Sequence, residues 1–210
     1  MAGFLARLFA GSGSVGDMVA KAVVAGDAEP FATLSLLGSN GQRMQALEKA
    51  ARDLMLDEAF DAAAVVLDHA ATLDPSLLNE RRVALAQIRG RPEDELPLLL
   101  AAVKAHPADP GPRQRAVVLL LAFGRGAEAL LLLDRAPHED LGLKTLRPRV
   151  LLAAGKREAA RALARELLPA ARADADGALK EGEAEVSTGN AERRVIELES
   201  VLAAIEGGVR

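Results

Sequence analysis

Three glycines, Gly11, Gly13 and Gly16, stand in the string LFAGSGSVGDMV at the G-x-G-x-x-G spacing that lets a backbone wrap a dinucleotide pyrophosphate. That chemistry needs a strand before the glycines, a helix after them and parallel strands to complete the unit. Here Phe4, Leu5, Leu8 and Phe9 precede them at helical spacing, and no later segment reads as a strand. Glu29 lies 18 residues beyond Gly11, where it could mimic a ribose-binding acid, but Gly26-Asp27 and Pro30 make its surroundings a turn between helices. The glycines are therefore expected to form a flexible Gly/Ser joint. A helix N-terminus at Val15 to Met18 is the only feature here that could hold a phosphate.

Other reactive groups are sparse. His69, His106 and His138 are separated by 37 and 32 residues, a repeat-like interval without the close spacing of zinc ligands. His138-Glu139-Asp140 reads as a solvated turn in preference to a weak metal cluster. The chain has no cysteine, which excludes disulfides and thiolate chemistry, and no serine sits in a G-x-S-x-G context. Glu93, Asp94 and Glu95 fall in the first turn of an expected helix, where carboxylates complement the helix dipole. No catalytic, metal or cofactor site is expected, and the chain is read as a non-enzyme.

The elements that would position such groups are helices. Half of the 210 residues are apolar but only 2% are aromatic, so the core must be built from Leu, Ala and Val. Ile occurs only at Ile88, Ile196 and Ile205, and period-two alternation is nowhere sustained. Gly and Pro recur between segments of helix length. Helices are expected at about 2–10, 16–27, 30–38, 42–56, 59–72, 76–89, 93–105, 112–123, 127–136, 143–154, 157–171, 174–186 and 190–206. Asp74-Pro75 and His106-Pro107 should stop helices, Asn190 should cap one, and Gly207-Gly208 should end it. A formal net charge of -4 argues against nucleic acid as a partner. The absence of cysteine, of a secretory signal and of a membrane-length apolar run makes a cytoplasmic address the economical expectation.

Self-similarity organises these helices. RGRPEDELPLLLAAVKA (89–105) overlays FGRGAEALLLLDRAPHE (123–139) at an offset of 34, placing Gly90 on Gly124, Arg91 on Arg125 and Leu98 on Leu132. AGKREAARALARELL (154–168) follows at an offset of 31, with Gly155 on Gly124 and Ala160 on Ala129. LDEAFDAAAVVLDHAATLDP (56–75) has the same grammar. The pattern resembles the tetratricopeptide repeat, a helix-turn-helix unit of about 34 residues with a small residue at the turn, two small residues seven apart on the second helix and a closing proline. Gly124, Ala129 and Ala136 match the turn and the two small positions, with Leu133 between them. Ala63, Ala70 and Pro75 match the small positions and proline of an earlier unit. Gly90, Ala102 and Pro107 match in the middle unit, where Glu95 replaces the first small residue. The last unit keeps Gly155 and Ala160, has Leu167 at the second small site and lacks the proline. An irregular helical bundle with recurring turns is the alternative.

The resemblance implies an all-α, right-handed superhelical array of antiparallel helix pairs with a capping C-terminal helix. The corresponding division is a leader and joint at 1–14, N-terminal helices at 15–41, about four pairs at 42–171 and capping helices at 172–210. Val195, Leu198, Val201, Leu202 and Ile205 form the apolar stripe of the cap. The resemblance also implies a concave groove lined by first helices, near Glu48, Arg52, Gln87, Gln114, Val118, Leu121, Thr145, Arg149 and Leu152. These suit an extended or helical peptide from a protein partner, without the basic and Asn cluster that some members use for a C-terminal carboxylate. The expected function is therefore a scaffold or adaptor. The alternative is an assembly subunit docking through Phe4, Leu5, Leu8 and Phe9, with peripheral membrane contact through residues 1–10 or packing of that segment on its own array.

Overall fold

The computed structural model describes residues 13–74, 78–138, 140–181 and 185–207. The described residues form α-helices and one 3-10 helix, with no strand among them. The helices are α1 (Val15–Ala25), a 3-10 helix (Ala32–Leu36), α2 (Asn40–Leu56), α3 (Phe60–Leu73), α4 (Asn79–Ile88), α5 (Pro92–Ala105), α6 (Pro110–Ala122), α7 (Gly126–Asp134), α8 (Leu141–Ala153), α9 (Arg157–Glu181) and α10 (Glu185–Gly207). No described helix is long and apolar enough to cross a membrane. The chain divides into two compact units, residues 1–98 and 99–210.

In the first unit α1 packs against α2 and α3, and α3 in turn meets α4. Val19, Leu47, Leu54, Val66, Leu67 and Leu85 form its core, with Leu34 reaching in from the 3-10 helix. In the second unit α8 packs against both α6 and α7, and α10 packs in the same manner against both α8 and α9. Ala160, Ala164, Leu198, Val201 and Ile205 are buried together between α9 and α10.

One turn recurs through both units. Gly26, Gly90, Gly124 and Gly155 have φ of 70, 62, 69 and 77°, and Glu58 has φ of 58°. These residues follow α1, α4, α6, α8 and α2, at intervals of 32, 32, 34 and 31 residues along the chain. In each turn the next amide bonds back to the carbonyl five residues earlier: Asp27 to Ala22, Ala59 to Leu54, Arg91 to Ala86, Arg125 to Leu120 and Lys156 to Leu151, all at 2.8–3.0 Å. This bond closes the helix terminus and requires a left-handed residue, which glycine supplies without steric cost. The same geometry thus closes α1, upstream of the region where the sequence repeat was visible.

Polar links recur with the turn. Arg82 reaches Asp68 at 3.3 Å and Arg147 reaches Asp134 at 2.6 Å, the arginine eight residues before one turn and the aspartate ten after the preceding one. Asn79 Nδ2 donates to the Leu98 carbonyl at 3.0 Å, and Arg113 Nη1 donates to the equivalent Leu132 carbonyl at 3.3 Å. Five residues after the last four of these turns stand Ala63, Glu95, Ala129 and Ala160, all buried, and five after Gly26 stands the half-buried Phe31.

Several expected boundaries are corrected. The helix expected at 30–38 is a five-residue 3-10 helix, because only twelve residues separate the Gly26 turn from the Ser39 cap and both Phe31 and Leu34 face the core; a 3-10 helix aligns such i and i+3 pairs. The segments 157–171 and 174–186 run together as α9, since Ala160, Ala164, Leu168, Ala171 and Ala175 continue one packed stripe. Asn190 is inside α10 and caps nothing, because packing along α9 outweighs its local preference. Ala136 lies beyond the end of α7: that helix stops at Asp134, where Arg113 takes the terminal Leu132 carbonyl, and Ala136 is half-buried in the following turn. Ala70 is buried and Ala102 half-buried at the second small position, and Pro107 sits in the turn after α5. Pro75, Phe4, Leu5, Leu8 and Phe9 lie outside the described residues.

Glu58 is the one of these five turn residues that has a side chain, and it carries the cost of a left-handed conformation. Replacing it by glycine should raise stability by about 0.5–1 kcal/mol, whereas Gly124→Ala should lower it by about 1 kcal/mol, both read from urea midpoints.

Candidate partner-binding surfaces

The sequence-derived groove residues have separate fates. On α2, Glu48 accepts from Arg81 of α4 at 2.7 Å, and Arg52 is exposed with its Nε 3.4 Å from Asp53. Gln87 at the end of α4 donates to Glu95 at 2.8 Å. Glu95 is 1% exposed at a position the repeat gives to alanine, so Gln87 helps to solvate a buried carboxylate.

In the second unit Gln114 donates to both carboxylate oxygens of Asp140, at 3.1 and 3.0 Å. Asp140 itself caps α8 by accepting from the Leu143 amide at 2.7 Å. Gln114 therefore holds the start of α8 against α6. Thr145 does not line a groove; it is buried, and its hydroxyl lies 3.0 Å from the carbonyls of Leu141 and Gly142 in its own helix. Val118 and Leu121 are half-buried. Arg149 is exposed and pairs with Glu197 of α10 at 3.1 Å, while Leu152 packs on the α9–α10 core. Arg52, Gln87 and Arg149 are the exposed residues of the set, and the side chain of Glu48, paired with Arg81, is 47% exposed, as is that of Arg149.

A charged ladder that sequence reasoning missed joins α1 to α2. Lys49 bonds to Asp17 and, at 2.6 Å, to Asp53. Asp17 and Lys49, its partner across the helix contact, are register equivalents, since each stands nine residues before a turn. The Lys49 ammonium, aided by the Ser14 amide, holds the Asp17 carboxyl down at about 2, and the same ammonium lowers Asp53. The repeat register would have shown this pair only once Gly26 was recognised as a turn of the same kind.

The opening glycines are also reassigned. Ser14 caps α1 in a reciprocal capping box with Asp17, and Gly16 lies inside that helix. A Cβ on Gly16 would stand 2.8 Å from the Ala46 carbonyl, so its role is close approach of α1 to α2. Gly13 leads directly into the cap, and Gly11 is outside the described residues. The expectation of a flexible joint therefore fails at Ser14 and Gly16, which are fixed by capping and packing. The Asp17 carboxylate occupies the α1 N-terminus that a phosphate would need.

Among the histidines, His69 stacks on Phe31 with ring centroids 3.8 Å apart, and burial pushes its pKa down. His106 and His138 are exposed, and no cluster of three or more metal-ligating side chains occurs among the described residues.

A cleft of about 390 Å³ opens between α3, α4 and α5 within the first unit. Its floor includes Leu67, Leu85, Ala86 and Pro97; Arg82, Arg89 and Arg91 stand on its walls beside Asp68, Glu93 and Asp94. Arg89 also reaches Asp61 at 2.6 Å.

Asp17 and His69 act at opposite ends of the acid profile. Asp17 is depressed in the fold, so its contribution is complete above about pH 4 and disappears as pH falls through about 2. His69 resists protonation when folded, so stability should begin to decline as pH drops below about 6.5. Thermal melts from pH 8 to 2 should show both declines; Asp17→Asn should reduce the lower one, to which the depressed Asp53 and Glu128 carboxyls also contribute, and His69→Gln should remove the upper. The sequence matches no protein-family model and no curated protein.

Proposed function

We propose that this chain is a tetratricopeptide-like adaptor, a right-handed array of helix pairs that holds a protein partner on the face of its first helices and performs no chemistry itself. The observation that carries the reading is the recurrent left-handed turn, which closes five successive first helices at intervals of 31–34 residues. An array of this kind presents side chains at matching positions along one face, which suits an elongated peptide better than a single small molecule. Arg52 and Gln87 in the first unit and Arg149 in the second offer polar contacts on such helices, and Met55 in the first and Val118 and Leu121 in the second are half-buried. In this reading α10 is the cap, since it meets α8 and α9 as α8 meets α6 and α7. A cytoplasmic location, and a partner other than nucleic acid, belong to the same proposal.

Affinity-tagged protein recovered from its native cells supplies the test. Partner recovery should fall at least fivefold with Arg52→Glu or Arg149→Glu, while a form lacking residues 1–12 should retain it. Unchanged recovery in both charge-reversed proteins would remove the first-helix face from the account. Loss confined to the truncated form would favour an assembly subunit that docks through Phe4, Leu5, Leu8 and Phe9.

A further inference from the structure

The cleft between α3, α4 and α5 marks a position where the repeat is underfilled. Six residues after the turns at Glu58, Gly90, Gly124 and Gly155 stand Ala64, Leu96, Leu130 and Arg161. Leu96 and Leu130 are 4% and 7% exposed. Ala64 is only half-buried and lines the cleft, where it leaves open the volume that a leucine takes elsewhere. The surfaces it would have touched, Leu67 and Leu85, are themselves core residues.

The cleft lining carries Arg82, Arg89 and Arg91 together with Asp68, Glu93 and Asp94, and Arg91 lies 3.9 Å from Asp94. Arg82 on α4 and Arg89, the residue that caps its C-terminus, are seven residues apart, about two turns and about 10 Å along the axis. Their carboxylate partners, Asp68 and Asp61, have side chains 71% and 93% exposed. The arginines themselves are only 27% and 19% exposed, so each pair is solvated at its carboxylate end alone, and a carboxylate brought in beside an apolar anchor can replace that end.

We propose that this cleft binds an extended segment of a partner protein, in which one leucine-sized side chain inserts against Leu67 and Leu85 between two acidic side chains that meet Arg82 and Arg89. Alternate residues of an extended chain face the same side, and four steps span about 13 Å. The sequence acid-x-Leu-x-acid therefore presents its three recognised groups together at a span close to that of the arginines. None of these lining residues belongs to the first-helix set of Glu48, Arg52 and Gln87, so the site goes beyond the adaptor reading, and either can fail without the other.

The probe is the fluorescein-labelled peptide Gly-Ser-Asp-Ser-Leu-Ser-Asp-Ser-Gly, titrated with the full chain and followed by anisotropy. Saturable binding is expected, at least tenfold weaker when alanine replaces the peptide leucine and weaker again at high salt. Ala64→Leu should fill the cleft, weaken binding at least tenfold and leave the melting temperature equal or higher. Arg82→Gln combined with Arg89→Gln should abolish most of the salt dependence, which keeps the proposal testable should Ala64→Leu fold poorly. Absence of saturable binding, equal affinity for the leucine and alanine peptides, or undiminished binding by a folded Ala64→Leu or doubly substituted protein would each overturn it.

Discussion

At five points the backbone passes through a residue of positive φ, and the amide that follows returns to a carbonyl five residues back in the helix just completed. This closure serves two needs at once. It satisfies carbonyls that a helix terminus would otherwise leave unpaired, and it reverses the chain within a few residues so that the next segment meets the helix it has left. Once the turn is set, the residue five places on faces the partner helix and must accommodate close approach. Ala63, Ala129 and Ala160 do so with their side chains fully buried. The packing is thus a consequence of the turn, and the small residues are its condition.

Departures from the pattern show what the constraint tolerates. Glu58 adopts the left-handed geometry although it has a Cβ, so surrounding packing outweighs a local preference there. Glu95 places a carboxylate where alanine is expected, and Gln87 from the preceding helix donates to it. Gly126 opens α7 where a Cβ would collide with the Ala153 backbone at 2.5 Å, so this unit obtains its closeness from a glycine two residues after the turn. Each variation keeps the hairpin while changing how its interior is filled. Ala64 belongs to the same series, and there the filling is incomplete.

The polar residues divide by what the helix ends demand of them. Gln114 gives its amide to the cap of α8, Arg113 donates to a carbonyl near the end of α7 and Asn79 to the Leu98 carbonyl within α5, so these groups are committed to the fold. Asp17 and Lys49 hold α1 to α2 in the same way. What the fold leaves uncommitted is smaller than residue type suggests: exposed side chains such as Arg52 and Gln87, and arginines around the cleft whose own carboxylates are largely in water.

The all-helical class was legible in the sequence because Ala and Leu at helical spacing, broken by Gly and Pro, leave strands nothing to form from. The turns at Gly90, Gly124 and Gly155 were legible too, since a left-handed residue favours glycine and the offsets of 34 and 31 repeat it. Glu58 was hidden because the same geometry was taken by a residue whose type does not announce it; Gly26 was legible as a turn but not as one of the series, because a short 3-10 helix follows it instead of a full second helix. Tertiary packing alone decided that α9 runs on to Glu181, that Gly16 is a helix contact, and that Thr145 is buried while Arg52 is exposed. Those outcomes depend on which neighbour lies across from each residue, and periodicity along one helix carries no information about the helix beside it.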